Sequence, residues 1–141
     1  MAGLNGKVAI VTGAGRLRGI GRGTAVALAK LGADVVVTGT GRDPLSYPAD
    51  EKSAGWNDIA STANQVRSYS VSALPLVVDV SNEIHVDDMI KTVMRKYGRI
   101  DILVNNAAYK RGPDRVPITE LDPETFQRVV HVKVMGGFLC S

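Results

Sequence analysis

A glycine-rich run wedged between an apolar stretch and an alanine-rich one is the strongest constraint on this chain. Lys7-Val-Ala-Ile-Val-Thr12 is short and rich in β-branched residues, the profile of a strand buried on both faces. Thr12-Gly-Ala-Gly-Arg-Leu-Arg-Gly-Ile-Gly-Arg-Gly23 follows directly. Ile20 to Leu31 then carries Ala25, Leu28 and Leu31 at helical spacing and stops at Gly32, a residue favoured just past a helix end. Strand, glycine loop and helix in that order make a place where a phosphate meets free backbone N–H groups at a helix N-terminus. Glycine permits the close approach, because a Cβ would hold the anion away from the amides and several such positions want positive φ. Turns use glycine too, but the position directly after a strand favours phosphate binding over a bare turn.

The alternation continues. Asp34-Val-Val-Val-Thr38 reads as a second strand, and Leu76-Val-Val-Asp79 as a third that starts just after Pro75. Between them, Gly39 to Gly55 holds Gly39, Gly41, Pro44, Pro48 and Gly55, so a long surface loop is expected before a helix from about Trp56 to Ser68. Ser81 is placed to cap a helix in which Val86, Ile90, Val93, Met94 and Tyr97 share a face, closing at Gly98. Asp101-Ile-Leu-Val-Asn105 is a fourth strand, followed by a polar loop through Asp114. Asp122 caps and Pro123 begins a last helix in which Phe126, Val129, Val130 and Lys133 recur at helical spacing. Strands and helices alternating at this rhythm imply right-handed crossovers and a doubly wound α/β fold, a parallel sheet with helices on both faces, in a single domain spanning 1–141.

Composition narrows the class of function. With 141 residues, 45% of them hydrophobic and 22% charged, the chain suits one globular core that needs no disulfide or metal staple. Its one cysteine, Cys140, reads as a small buried hydrophobe. No stretch approaches the ~18 consecutive apolar residues of a membrane span, and Met1 to Lys7 lacks the order of a secretory leader, so a cytoplasmic setting without membrane contact is the default. The net charge of +3 is too small to announce a nucleic-acid partner. Its distribution is uneven, since Lys7, Arg16, Arg18, Arg22, Lys30 and Arg42 stand against Asp34 alone in the first 42 residues. His85 and His131 have no companions at ligand spacing, so no metal is expected. Asp87 and Asp88 diverge around their helix, which argues against a shared acid/base pair.

Four features taken together resemble the short-chain dehydrogenase/reductase family: the Thr12-Gly13 start, the Gly19-Ile20-Gly21 finish, Asp79-Val80 after strand three, and Asn105-Asn-Ala-Ala108 after strand four. They fall in the family's order and cover the chain from about Lys7 onward. The resemblance implies a Rossmann-type sheet with a nicotinamide dinucleotide across its C-terminal edge, where strand order reverses between strands one and four. It implies that Gly13, Gly19 and Gly21 line the phosphates with Ile20 at the helix mouth. Asp79 and Val80 then contact the adenine. Asn105, Ala107 and Ala108 lie beside the ribose nearer the nicotinamide, and Asn105 also helps pin the central strands. Gly13 and Gly19 stand two residues further apart than the family's usual spacing, whereas Gly15, Gly19 and Gly21 restore it, which leaves the first glycine's identity open. Either way Arg16 and Arg18 are near phosphate.

Dinucleotide type is argued from the end of strand two, where an acidic residue would bond the ribose hydroxyls of NAD and repel the extra phosphate of NADP. Gly39 and Thr40 stand there, with Arg18 and Arg42 near enough to pair with a 2′-phosphate, so charge favours NADP over NAD. Asp43 close by leaves NAD open. Val132-Lys-Val-Met-Gly136 aligns with the family's Val-Asn-x-x-Gly, which puts Lys133 where an asparagine normally holds a water of the proton relay. The family's chemistry moves a hydride between nicotinamide and a carbonyl or secondary alcohol, using a tyrosine with a lysine four residues on and a serine. Glu51, Ala73, Asp101 and Pro113 stand four beyond the chain's four tyrosines, so the pair is absent and no catalytic residue is assigned. The expectation is therefore a truncated, inactive cofactor-binding half of an oxidoreductase acting on a small carbonyl or alcohol substrate, with a homo-oligomer implied by analogy. The alternative is a non-catalytic dinucleotide sensor or regulatory module, to which Lys133 and the missing pair point.

Overall fold

The computed structural model describes residues 3–109 and 112–141. Lys110 and Arg111, within the expected polar loop, lie outside the described residues. Four parallel strands, β1 (Val8–Val11), β2 (Asp34–Gly39), β3 (Ala73–Val77) and β4 (Ile102–Val104), form a sheet in the order β3-β2-β1-β4. The order reverses between β1 and β4, as expected. The intervening helices are α1 (Ile20–Lys30), the short α2 (Ala49–Ser53), α3 (Asp58–Arg67), α4 (Glu83–Tyr97), α5 (Pro123–Val130) and α6 (Gly136–Cys140). A π-helical segment, His131–Met135, joins α5 to α6, and 3₁₀ turns occupy Pro44–Ser46 and Ile118–Glu120. The long loop after β2 is thus partly helical.

Period-two alternation in the strands divides the core. Val35 and Val37 of β2 face α1 and α3, packing with Ala25, Ala29, Ile59, Ala63 and Val66. Val36 points the other way, with Ile10, toward Val86, Met89 and Val93 of α4 and Cys140 of α6. Helices on both faces bury Val8–Val11 of β1 and Val35, Val36 and Val37 of β2, which is why these stretches read as uninterrupted hydrophobic runs. In α4 it is Met89 that completes the buried face while Met94 is exposed, the i, i+3, i+7 set winning over the neighbouring stripe.

Two boundaries differ from the sequence expectation. β3 begins at Ala73 and contains Pro75, paired with Val37. Its place at the sheet edge explains the tolerance, since an edge strand needs no donor on its outer side. The cap of α4 is Asn82, whose side chain accepts from the amides of Ile84 and His85 at 3.0 and 3.3 Å. Ser81 instead bonds Asp79 through its amide and its hydroxyl. Gly98 closes α4 in the left-handed region, and Asp122 caps α5 through the Thr125 amide, both as read from sequence.

At the opposite edge of the sheet Asp101 fastens the starts of β1 and β4. Its carboxylate accepts from the Val8 amide at 2.9 Å and from Arg99 at 2.8 and 2.6 Å. The Arg99 bonds first, and then the Val8 amide, hold its pKa far below the ordinary 3.8. A depressed carboxylate stabilises the fold above its unfolded pKa and stops doing so as pH falls through the folded one.

Asn82→Ala should therefore cost about 1 kcal/mol in urea unfolding, the usual worth of a helix cap, while Ser81→Ala leaves α4 capped and costs less. Asp101→Asn should lower stability at pH 7 yet converge on the parent at strongly acidic pH, checked by unfolding curves along a pH series; parallel pH profiles for the two proteins would contradict this.

Candidate dinucleotide site

The loops leaving β1 and β4 diverge at the C-terminal edge of the sheet, opening a crevice where open parallel sheets take their ligands. Thr12 and Asn106 tie the two loops together. The Thr12 hydroxyl accepts from the amides of Asn106 and Ala107, each at 3.1 Å, and donates to the Val104 carbonyl at 3.3 Å. The Asn106 side-chain amide donates to the carbonyls of Thr12 and Gly13 at 2.8 and 3.0 Å. The pinning role expected of Asn105 therefore belongs to its neighbour, because a one-residue step beyond the strand turns the side chain back over the sheet. Asn105 is exposed and donates to the Ser141 hydroxyl at 3.2 Å.

The tie brings backbone so close that side chains are excluded. Gly13 has φ +67°, and a Cβ there would lie 2.7 Å from Ala107 Cα. A Cβ on Gly21 would lie 2.5 Å from Asn106 Nδ2 and 2.9 Å from the Gly13 carbonyl. Gly19 is the N-cap of α1, contributes no capping side chain, and no acid stands in the first turn. The Ile20, Gly21 and Arg22 amides have no partner among the described residues. Uncapped amides with the positive end of the helix dipole make an anion site, and Ile20 stands exposed at its mouth. A pyrophosphate fits the donors and the side-chain-free approach.

The other arm of the glycine loop is bonded into the chain. Ala14 N donates to the Thr38 carbonyl at 2.8 Å, and the Ala14 carbonyl accepts from Thr62 Oγ1 at 2.7 Å. Gly15 O accepts from Trp56 Nε1 at 2.7 Å and from Arg42 Nη2 at 3.3 Å, while Leu17 N donates to Glu51 at 3.0 Å. Arg22 lies over the Trp56 ring and donates to the Leu17 carbonyl. Glu51, Trp56, Asp58 and Thr62 were not singled out as site residues in the sequence. Glu51 stands in the expected surface loop and Trp56, Asp58 and Thr62 in the helix expected after it, and no periodic signal marks them as a group.

Arg42 sits inside this arm. Its guanidinium bonds Glu51 at 2.9 Å and Asp58 at 2.9 and 3.2 Å, its amide donates to Asp58, and Tyr47 stacks 4.8 Å away. Glu51 and Asp58 are buried. Burial pulls the Arg42 pKa down, but the bonds to Glu51 and Asp58 outweigh it and leave it raised. Burial, then the Asp58 charge, pushes the Tyr47 phenol up. Arg42 was expected to be free for a 2′-phosphate; it is instead neutralised between two carboxylates. Arg18 is exposed and pairs with Asp50 at 2.8 Å. Arg16 and Thr40 are exposed.

On the β4 side of the crevice a hollow of about 10 Å³ brings together Thr12, Val80, Asn105, Ala107 and Lys133. Lys133 lies in the π-helical segment, and Gly136 packs so tightly on Val80 that a Cβ would fall 2.7 Å from it. Asp79 is occupied by Ser81, and Ala108 is exposed. Among the described residues no group of three His, Cys, Asp or Glu is arranged to hold a metal, and no helix is long and apolar enough to cross a membrane.

Residues 7–141 match the family model described as short chain dehydrogenase. A short chain dehydrogenase/reductase, astE, of Aspergillus oryzae is 40% identical over 137 residues, covering 97% of this chain and 46% of its own length. A 12alpha-hydroxysteroid dehydrogenase of a Clostridium species is 39% identical over 107 residues, 73% of this chain and 36% of its own. The crystal structure of NAD+-bound xylitol dehydrogenase superposes with a TM-score of 0.77 at 31% identity, covering 97% of this chain and 46% of that one. Carveol dehydrogenase from Mycobacterium avium in complex with NAD gives a TM-score of 0.80 at 25% identity, with 99% and 48% covered. The chain spans about half the length of these relatives or less. With its sheet order, glycine loop and matched sequence, this chain belongs to the short-chain dehydrogenase family.

Proposed function

We propose that residues 1–141 form the dinucleotide-binding part of an oxidoreductase that interconverts a carbonyl compound and a secondary alcohol. The nicotinamide coenzyme supplies the hydride chemistry when bound. The observation that carries the reading is the uncapped start of α1, beside two loops that approach so closely that positions 13 and 21 leave no room for a Cβ. Relatives solved with NAD support the choice of a nicotinamide coenzyme over another phosphate ligand.

In this reading the backbone of Gly13, Gly19 and Gly21 holds the pyrophosphate, with Arg16 as the nearby exposed cation and Ile20 covering the bridge. Val80 and Asp79 border the adenine, while Asn105, Ala107 and Ala108 border the second ribose. Gly15 supports the loop from behind. The Tyr/Lys pair being absent from the sequence, this chain binds the coenzyme without turning substrate over. The exposed row Phe126, Val130, Val134 and Phe138 along α5, the π-helical segment and α6 is where association with a second copy fits. A second reading, a regulatory module that binds the coenzyme without chemistry, draws on Lys133 beside the hollow.

Titrating NADH into the purified chain, followed by nicotinamide fluorescence, should give saturable binding. Gly21→Ala should weaken it by at least about tenfold, equivalent to ~1.4 kcal/mol, because its Cβ meets Asn106 Nδ2 and the Gly13 carbonyl. An unchanged affinity in that variant would reject the assignment.

A further inference from the structure

We infer that His85 is a positioning residue for the dinucleotide site: its neutral imidazole holds the turn after β3 in place, and protonation releases that turn. The inference rests on the dinucleotide-binding reading above, in which Asp79 and Val80 border the adenine. β3 lies at the edge of the sheet, so its backbone is paired on one side only. Val78 N still points inward and donates to the Gly39 carbonyl at 2.8 Å. The next amide, that of Asp79, points the other way by the alternation of an extended strand, where no strand lies among the described residues. His85, in the first turn of α4, meets it, accepting from Asp79 N on Nδ1 at 3.2 Å. Asp79 is otherwise bonded within the same turn. Its Oδ1 accepts from the Ser81 amide and hydroxyl at 2.9 and 2.6 Å, and its carbonyl accepts from the Asn82 amide at 3.0 Å. Asn82 in turn caps the amides of Ile84 and His85. Asp79, Ser81, Asn82 and His85 thus form one closed set of bonds, in which the imidazole ties α4 to the residue before Val80. Val80 is the link to the crevice. It is buried, lines the hollow with Thr12 and Asn105, and packs so closely on Gly136 that a Cβ there would fall 2.7 Å from Val80 Cγ2. A turn held at Asp79 fixes one wall of the site.

The chemistry of this bond makes it sensitive to protons. A backbone amide only donates, so the nitrogen that receives it must carry a lone pair, which puts the ring proton on Nε2. Adding a proton to Nδ1 sets one N–H against another, and the Asp79 amide loses its acceptor. His85 is exposed, so the proton arrives directly from solvent. Few charged groups surround it. Asp79 faces it from the turn, and Asp88 stands one helical turn further along α4, with Glu83 and Asp87 off that face. Of the strands beneath α4, only β2 carries an ionisable side chain, Asp34, and it lies at the far end of the helix beside Tyr97. α6 brings only the buried Cys140, and the π-helical segment brings His131 and Lys133, the latter beside the Val80 hollow. Among the described residues none of these bonds the imidazole.

The test is calorimetric titration of the chain with NAD at about pH 8 and about pH 5.5, either side of the range in which histidine changes charge. The wild type should bind roughly fivefold more weakly at the lower pH, the worth of one neutral hydrogen bond. His85→Asn puts an oxygen acceptor at the same δ position and does not titrate, so its two affinities should agree. His85→Ala offers no acceptor and should bind at both pH values as weakly as the wild type does in acid. In the chain without coenzyme, the Asp79 amide signal in a nitrogen–proton NMR spectrum should follow the same pH curve as the His85 ring, and should lose that curve in His85→Asn. A pH dependence of binding shared by His85→Asn, an affinity of His85→Ala equal to that of the wild type at the higher pH, or an Asp79 amide that ignores the ring overturns the inference and leaves the dinucleotide reading standing. Failure of the wild type to bind at either pH overturns both.

Discussion

Turning the backbone away from the sheet after Thr12 exposes carbonyls that no strand can satisfy, and the rest of the site is organised around meeting that need. Buried peptide groups without partners are costly. Thr62, Trp56 and Arg42 supply donors to Ala14 and Gly15, and Asn106 supplies them to Thr12 and Gly13. With its carbonyls anchored on both sides, the loop is left with its α1 amides directed into the crevice. The excursion after β2 is the scaffold that makes the glycine loop rigid without a ligand present.

Rigidity of this kind matters for an anion site because amides that must be gathered on binding give up affinity to ordering. The Thr12 hydroxyl adds to it by bonding three backbone groups of the β4 segment at once. The two loops that frame the crevice are therefore bonded to each other directly, with Asn106 on the carbonyls of Thr12 and Gly13. Glycines at 13 and 21 are consequences of this closeness as much as of turn geometry.

Local signals were legible in the sequence and long-range pairings were not. The first strand, glycine loop and helix, the Gly98 stop and the Asp122 cap all depend on residues close in sequence, and the structure agrees with each, while the reversal between β1 and β4 was legible only through the family resemblance. Pro75 misled because a proline's cost depends on whether its strand lies at the sheet edge, which only the assembled sheet decides. Ser81 and Asn82 are equally plausible caps one residue apart, and the nearby Asp79 takes the serine. Arg42 showed its charge but not its partners, nine and sixteen residues further on. Ion pairs formed across an irregular loop leave no periodic trace.

The hydrogen bond from Trp56 to the Gly15 carbonyl has an optical corollary. The chain contains a single tryptophan, and its indole nitrogen is fastened to the glycine loop, with the Arg22 guanidinium over its ring. Indole emission from this chain thus originates at one spot, beside the glycine loop, and its wavelength and intensity track the loop's local environment without any attached dye.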